Sequence, residues 1–387
     1  MAATDRPYDI VLFGATGFTG ALTAEYLAAN AGPQTRWALA GRNQAKLDEL
    51  AARLGGDPET LKADVTDPES LRRVAESARV VITTVGPYIR YGEPLVAACA
   101  EAGTDYVDLT GEPEFVDRMY LAHHERATQT GARLVHACGF DSIPHDLGAQ
   151  FTVEQLPEAV PIDIKGYVSA GGTASGGTFD SAVTAFSRAR KTQQAHAERG
   201  RIEPRPAGRR VRTIAARPGR EDGGWTLPMP TIDPMVVAAS ARALDRYGPD
   251  FSYSHNVRVG NPLVAAALPV GVAGVFALAQ LPPTRKAMLK LRPSGSGPTP
   301  EQRAKSWFRV RFVGEGGGRR VVTQVSGGDP GYGETSKMLA ESALCLAHDE
   351  LPATAGQVTT AVAMGPALRE RLQRAGITFE VLSTVPA

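Results

Sequence analysis

Ile10-Val11-Leu12-Phe13-Gly14-Ala15-Thr16-Gly17-Phe18-Thr19-Gly20, continued by Ala21-Leu22-Thr23-Ala24-Glu25-Tyr26-Leu27, reads as an apolar strand, a glycine turn and the start of a helix. A helix N-terminus has free N–H groups and the positive end of the helix dipole, so it holds a pyrophosphate where no side chain intervenes. Gly14 permits the tight turn, Gly17 lets the backbone approach phosphate, and Gly20 lets helix and strand pack closely. The G-x-x-G-x-x-G spacing departs from the usual G-x-G-x-x-G, so the motif needs support from its surroundings. Gly14, Thr16, Gly17, Phe18, Thr19 and Gly20 are the candidate phosphate-side contacts to a dinucleotide.

The surroundings supply that support. A second apolar run, Trp37-Ala38-Leu39-Ala40, ends in Gly41-Arg42. In a Rossmann-like unit this strand end meets the adenosine ribose. An acid there suits the 2′-hydroxyl of NAD, whereas Arg42 suits a 2′-phosphate and favours NADP; a merely solvated loop arginine is the plainer alternative. Leu61 to Val65 reads as a third strand, with Asp64 available to the adenine amino group. Arg79 to Val85 reads as a fourth, ending at Gly86-Pro87-Tyr88, where Gly86 is a further candidate cofactor contact. Open α/β sheets bind ligands beyond the carboxyl ends of their strands.

The chain has 387 residues, enough for more than one domain. With 42 basic and 41 acidic residues, no global field points to nucleic acid. Cys99, Cys138 and Cys345 are far apart, so neither a zinc site nor a disulfide framework is expected, and the reducing cytoplasm is the default compartment. No secretory signal is read at the N-terminus. Eleven Lys/Arg between Arg188 and Arg220, against Glu198 and Glu203 alone, predict an exposed, partly irregular basic segment. Leu263 to Leu281 is nineteen residues without a charge, flanked by Arg258, Arg285, Lys286 and Lys290. Pro269, Gly271 and Gly274 argue against a membrane-spanning helix. The run reads instead as ordinary burial or as an apolar surface, touching the inner face of the plasma membrane or a second copy of the chain.

Strand and helix patterns alternate to about residue 140, as a doubly wound sheet requires. Asp105 to Leu109 and Arg133 to Cys138 continue the series as strands, with a helix between them. Later, Ile162 to Val168 and Trp307 to Val313 alternate with period two, and Arg319 to Val325 reads as the hairpin partner of the latter across Gly316-Gly317-Gly318. Arg292 to Pro298 reads as a flexible loop, and Ser336 to Leu346 as a helix. The expected fold is α/β: a Rossmann-like parallel sheet over residues 1–145, then an α+β domain with a mainly antiparallel sheet over 146–335. Residues 336–387 form a helical segment returning to the first domain.

Several motifs together resemble one family. Gly14 to Gly20, Gly41-Arg42, Val85-Gly86-Pro87-Tyr88, Tyr106 to Glu112, Gly139-Phe140-Asp141-Ser142-Ile143-Pro144-His145-Asp146 and Gly328-Asp329-Pro330-Gly331-Tyr332 are similar to the saccharopine dehydrogenase-like oxidoreductases. More narrowly they resemble the actinobacterial trans-acting enoyl reductase branch. The resemblance covers nearly the full chain. It implies NADPH-dependent reduction of a carbon–carbon double bond in an acyl chain carried by a polyketide synthase, for long-chain lipid assembly. It carries fold and hydride chemistry more securely than substrate. A saccharopine-type, amino-acid-linked dehydrogenase and a cofactor-binding protein without catalysis stay open as alternatives.

The residues themselves support a reductase and leave its proton donor open. No tyrosine has lysine four positions on, which disfavours the Tyr-x-x-x-Lys route of carbonyl reduction. Enoyl reduction needs hydride at the β-carbon, hydrogen bonds to the enolate oxygen and a proton for the α-carbon. Tyr88, and less so Tyr91, can offer such a hydrogen bond. His145 can donate a proton with Asp141 or Asp146 orienting it, unless these acids simply cap the helix beginning near Pro144. Ser169 to Thr178 is either an anion-binding turn or a loop. Adjacent His123 and His124 point apart on a helix, so no metal is expected there. Tyr332 to Lys337 either lines the substrate cleft or forms a structural turn.

Overall fold

β1 (Tyr8–Phe13) is buried at every residue, as a central parallel strand with helices on both faces must be. The computed structural model describes residues 6–55, 58–171, 176–221, 223–291 and 297–386. β1 lies between β2 (Trp37–Gly41) and β4 (Ala78–Thr83), with β3 (Glu59–Lys62) at one edge and β5 (Asp105–Asp108) and β6 (Arg133–Val135) on the other side. Every pairing among them is parallel. The strand order therefore reverses between β1 and β4, and the carboxyl ends there form the crevice in which such sheets bind ligands.

Three strands stop earlier than their apolar patterns suggest, because side chains take over from the ladder. After β3, the Asp64 carboxylate accepts from the backbone N and hydroxyl of Thr66, closing a turn at the point where the sequence predicts strand. After β4, the Val85 N–H goes to the Thr83 hydroxyl. After β6, the Ala137 N–H turns to the Asp108 side chain, and Ala137 itself has φ +60.

The second sheet contains β7 (Ile162–Gly171), β8 (Arg210–Thr213), β9 (Gly219–Glu221), β10 (Gly224–Pro228), β11 (Asp250–Val259), β12 (Trp307–Gly316) and β13 (Arg319–Gly327). β14 (Gly356–Val358) returns to the first sheet beside β6, and β15 (Thr378–Pro386) adds to the second beside β13. β12 and β13 form the expected hairpin, with Gly317 and Gly318 at φ +57 and +74 in its turn. The sheet is mixed, because β11 runs parallel to both β7 and β8. Helices between β7 and β11 carry the chain back to the starting end of the sheet, which makes the crossover parallel.

One hydrophobic cluster runs from Ile10 and Leu12 of the first sheet through Ile143 and Leu147 to Phe308, Phe312 and Val325 of the second. The Ile143–Glu154 helix is the shared element, so a sequence boundary at 145 falls within it. Gly148 brings this helix onto β12: a Cβ there would lie 2.3 Å from the Phe312 ring. The Gly333–His348 helix packs against the Phe18–Asn30 helix, with the Tyr26 hydroxyl donating to Glu341 at 2.8 Å. Residues 336–386 thus serve both sheets.

Two surface expectations resolve differently. The basic segment contains a regular helix, Ala189–Ile202, and several of its arginines are anchors. Arg188 grips Glu114 through two nitrogens at 2.6 and 2.7 Å, and Arg209 donates to the carbonyls of Ala241, Leu244 and Gly248. The uncharged run forms one helix, Pro262–Gln280, continuous through Pro269 and capped by the Asn261 side chain. It has a mean hydropathy of 2.1 over its apolar window, of which 11% is buried, so it lies on the surface. It touches the Gly176–Ser187 helix, where Phe186 meets Phe276 edge to face. Of the predicted flexible loop, residues 292–296 lie outside the described residues.

Candidate active site

The glycine turn leaves β1 at Gly14, whose φ of +86 strains any residue with a Cβ. Gly20 is required by contact rather than conformation: a Cβ there would sit 2.2 Å from the Gly14 carbonyl oxygen. Gly17 is different. It is the N-cap of the Phe18–Asn30 helix at φ −74, and a Cβ on it would meet only the Gly14 oxygen at 3.4 Å. No side chain caps this helix, and its first turn holds no acid. The N–H groups of Phe18, Thr19 and Gly20 therefore have no intrahelical acceptor, and the exposed Thr16-Gly17 tip leaves room for an anion. This bare N-terminus fits the pyrophosphate of a dinucleotide.

The C-terminal part of the chain roofs the turn. The Phe18 ring packs edge-on against Tyr332 at 4.7 Å, and Gly297 passes so close that a Cβ would enter that ring. The Tyr332–Lys337 segment starts as a turn: Asp329 accepts from the N–H groups of Tyr332 and Gly333, while Thr335 accepts from Phe140 N at 3.1 Å. Arg42 is exposed just beyond β2. Asp64 stands near it, held below the usual carboxylate range by its bonds to Thr66 and then by the Arg42 charge. One Asp64 oxygen is therefore already committed to its own turn. Gly86 lies past β4, where a Cβ would make only ordinary contact with the Tyr88 ring at 3.6 Å.

Tyr88 requires a correction. Its hydroxyl donates to the Thr83 carbonyl at 3.1 Å and accepts from Leu109 N at 3.2 Å, in a buried position between the ends of β4 and β5. It clamps two strand ends together, and its hydroxyl proton is committed to the Thr83 carbonyl rather than free for another acceptor. Burial first, and the nearby Asp108 charge second, push its pKa well up. Tyr91 is exposed at the surface.

His145 is buried, and its partner is neither of the acids read from its own loop. Asp146 accepts from the Ser240 hydroxyl, the Thr360 hydroxyl and Ala361 N, so it ties three segments together and cannot orient His145. No side chain caps the Ile143–Glu154 helix, so the capping alternative for Asp141 and Asp146 does not hold there. Instead His145 Nδ1 lies 2.9 Å from Asp233 Oδ1, and His255 Nε2 lies 3.4 Å from Asp233 Oδ2. The rings of His145 and His255 meet edge to face at 5.0 Å, and the Tyr253 hydroxyl closes the series 3.0 Å from His255 Nδ1. Burial works to raise the pKa of Asp233, but the two imidazoles outweigh it and hold the carboxylate below its usual range. Burial pushes His255 down to about 4, so it is neutral at pH 7.

Asp141 sits at the partly exposed end of this series. It lies at the carboxyl edge of β5 and β6, close to Gly111, where a Cβ would come within 3.0 Å of its Oδ2. Burial, reinforced by the Asp233 charge and opposed by His145, lifts its pKa to about 6. A carboxyl group whose pKa is lifted toward neutrality keeps a protonated fraction that an ordinary aspartate lacks, which makes Asp141 a candidate proton donor. His145, Asp233 and His255 also offer donor atoms within 4.8 Å of one another, a spacing that a metal ion can bridge. The 2.9 Å approach of His145 to Asp233 is within ion-pair distance, while Thr231 donates to Asp233 Oδ2 and the Tyr253 hydroxyl meets His255 Nδ1, so the outer atoms of the cluster already have protein partners.

Asp233 and His255 escape sequence reading because they come from a helix start and a strand about 90 residues or more beyond His145. The one trace is parity: Phe251, Tyr253 and His255 alternate along β11, and all three are buried. His123 and His124 point apart as expected, toward Glu93 and Tyr120 respectively. In the glycine-rich stretch from Ser169 to Thr178, residues 172–175 lie outside the described residues.

Comparison with known proteins identifies the family and the fold. Residues 10–135 match the family model of the saccharopine dehydrogenase NADP binding domain. The chain is 40% identical to a Mycobacterium tuberculosis protein assigned provisionally as a trans-acting enoyl reductase, over 98% of this chain and 99% of that one. It is 37% identical, over the same shares, to a trans-acting enoyl reductase of Mycobacterium tuberculosis, and 34% identical to one of Mycobacterium ulcerans over 97% and 98%. The saccharopine dehydrogenase (L-Glu forming) of Saccharomyces cerevisiae superposes with a TM-score of 0.57 at 12% identity, covering 98% of this chain and 100% of that one; this shows a shared fold.

Gly17 and Gly20 give separable outcomes. Gly17→Val should leave thermal unfolding nearly unchanged while NADPH binding, followed by cofactor fluorescence, falls at least about tenfold. Gly20→Val should fail in both measurements. Equal affinity in Gly17→Val and the parent would remove the phosphate assignment. Arg42→Asp should weaken NADPH by about tenfold or more and NADH by less than about threefold, as loss of a charged hydrogen bond predicts; equal losses would detach Arg42 from the 2′-phosphate.

Proposed function

The chain belongs to the trans-acting enoyl reductase branch of the saccharopine dehydrogenase-like oxidoreductases and is an NADP-dependent oxidoreductase of enoyl reductase type; from that premise we propose that its substrate is a long acyl chain of polyketide or lipid origin, presented as a carrier-bound thioester. The bare helix N-terminus after Gly17, with Arg42, would hold the cofactor, which when bound supplies the hydride for the β-carbon. The observation that carries the mechanistic reading is the series Asp141, His145, Asp233 and His255. The Asp141 carboxyl holds the proton destined for the α-carbon. When it gives up that proton, the electron pair on the enolate oxygen returns to the carbonyl and the new C–H bond forms. His145, beside Asp233, favours the ionised form of Asp141 and so assists release of that proton. Phe140, packed edge to face on His145 and tilted against Phe308, keeps water from the imidazole.

The exposed Pro262–Gln280 helix supports the lipidic side of this reading. Leu263, Val270 and Phe276 are open to solvent, and Arg285 and Lys286 follow in the next helix. Apolar residues with basic flanks suit the anionic face of a membrane, where long acyl chains reside. A cytoplasmic protein in peripheral contact with the inner membrane face follows from this, and a second copy of the chain is the competing occupant.

A 2-enoyl thioester should be reduced at its double bond with oxidation of one NADPH; turnover of imines alone would overturn the enoyl reading. Asp141→Asn should lower kcat by about 10²–10⁴-fold with NADPH affinity intact. Because the protonated carboxyl is the active form, kcat/KM of the parent should fall as pH rises through about 6. That limb should be missing in Asp141→Asn, and its persistence would assign the proton to another group. Co-sedimentation with anionic vesicles should be lost in Val270→Asp/Phe276→Asp without loss of NADPH binding. Unchanged sedimentation, or a salt-resistant dimer dissociated by the same change, would give the helix to another contact.

A further inference from the structure

A cavity of about 390 Å³ opens between the Pro113–Thr130, Ala189–Ile202 and Asp233–Ala243 helices and β14. Val116 and Val236 in its wall belong to the hydrophobic cluster on one face of the first sheet, whereas the helix following the glycine turn packs Ala24 and Leu27 into the cluster on the other. The cavity is therefore separate from the turn that fits the cofactor. Its volume is that of a small-molecule site. Val116, Met235, Val236, Val358 and Val362 make its apolar wall.

Its polar lining is cationic and incompletely paired. Arg199 lies over the Tyr120 ring at 4.3 Å and donates to Asp117 at 3.2 Å and Glu203 at 2.6 Å; Arg242 shares Glu203 at 3.3 Å. Arg205 joins them, so three guanidinium groups face two carboxylates. His136 is 5% exposed, with Nδ1 2.7 Å from Asp108. Its Nε2, the Nε atoms of Arg199 and Arg242, and Oε1 of Gln357 are all buried without a hydrogen-bond partner among the described residues. Native proteins leave few such atoms, and four around one cavity mark a place for a polar group from outside. Burial, and after it the nearby Arg199 charge, lower the pKa of Arg242, a strain that an added anion would relieve.

We propose that this cavity is a second ligand site, taking a free monocarboxylate with an apolar body: the carboxylate between Arg242 and Arg199, the hydrocarbon against Val236, Met235 and Val362. The surplus positive charge sets the ligand's charge, and the wall sets its chemistry. The Asp233–Ala243 helix joins this site to the catalytic series, because it carries Asp233 in its first turn and Arg242 in its last. A ligand seated on the helix therefore bears on the carboxylate that fixes His145.

The full-length protein, saturated with NADPH, should bind octanoate with one-to-one stoichiometry in a calorimetric titration, and octanol at least about tenfold more weakly. Arg242→Met should lose about tenfold or more in octanoate affinity. Ala239→Phe, which fills the cavity and keeps its charges, should abolish binding; for both variants, retained NADPH affinity confirms the fold. Octanoate should alter turnover of an enoyl thioester without competing with it. Equal binding of octanoate and octanol, no binding of octanoate, its displacement by NADPH or by the thioester, or its full retention in Ala239→Phe would each overturn the proposal.

Discussion

The first helix lies where it does because Gly20 has no Cβ. Its Cα comes so near the Gly14 carbonyl that even one methyl group would sit 2.2 Å from that oxygen. This contact sets the helix hard against β1 and aims its uncapped end at the crevice beside β4. The remainder of the molecule arranges itself around that end. The Gly333–His348 helix packs beside the first helix, Tyr332 covers Phe18, and Thr335 holds the loop that begins at Phe140. The glycine turn and the loop from Phe140 are thereby fixed to one short stretch of C-terminal chain.

Three buried carboxylates do the long-range joining. Asp108 gathers the Tyr106 hydroxyl, the N–H groups of Thr110 and Ala137, and His136, and so holds the ends of β5 and β6 in register. Asp146 binds the Asp233–Ala243 helix and the turn at Thr360 to the helix between the sheets. Asp233 joins that same helix to His145 and His255. A buried acceptor left without its donors costs about 1–3 kcal/mol, more when it is charged, so each of these carboxylates specifies an arrangement as well as stabilising it. The Asp233–Ala243 helix takes part in two of the three, which makes it the mechanical link between the sheets and the cluster around His145.

The arginines of the middle segment show the same economy. A run of eleven basic residues looks like a solvated patch, yet Arg188, Arg199 and Arg209 are spent on Glu114, on Asp117 and Glu203, and on helix-end carbonyls. Arg199, buried on Tyr120, leaves one nitrogen over at the cavity. The apolar helix Pro262–Gln280 is the reverse case: uncharged residues that seem destined for the core stand mostly in solvent, because the two sheets already enclose a filled core.

The sequence by itself determined the first domain's architecture, its strand–glycine turn–helix start, NADP as the cofactor, and the β12–β13 hairpin. Each is written locally: a period of apolar residues, a glycine where φ is positive, an arginine at the end of β2. It also marked Asp141 and His145, because glycine, proline and acids at a strand end are visible within ten residues. Only the tertiary structure decided that Tyr88 is a clamp, that Asp146 serves other helices, and that Asp233 and His255 complete the series around His145. It alone decided which sheet receives β14 and which receives β15. The physical reason is range. A turn or a strand is fixed by neighbours a few residues away, whereas the partner of a buried charge is whichever group the packing of distant segments brings within 3 Å.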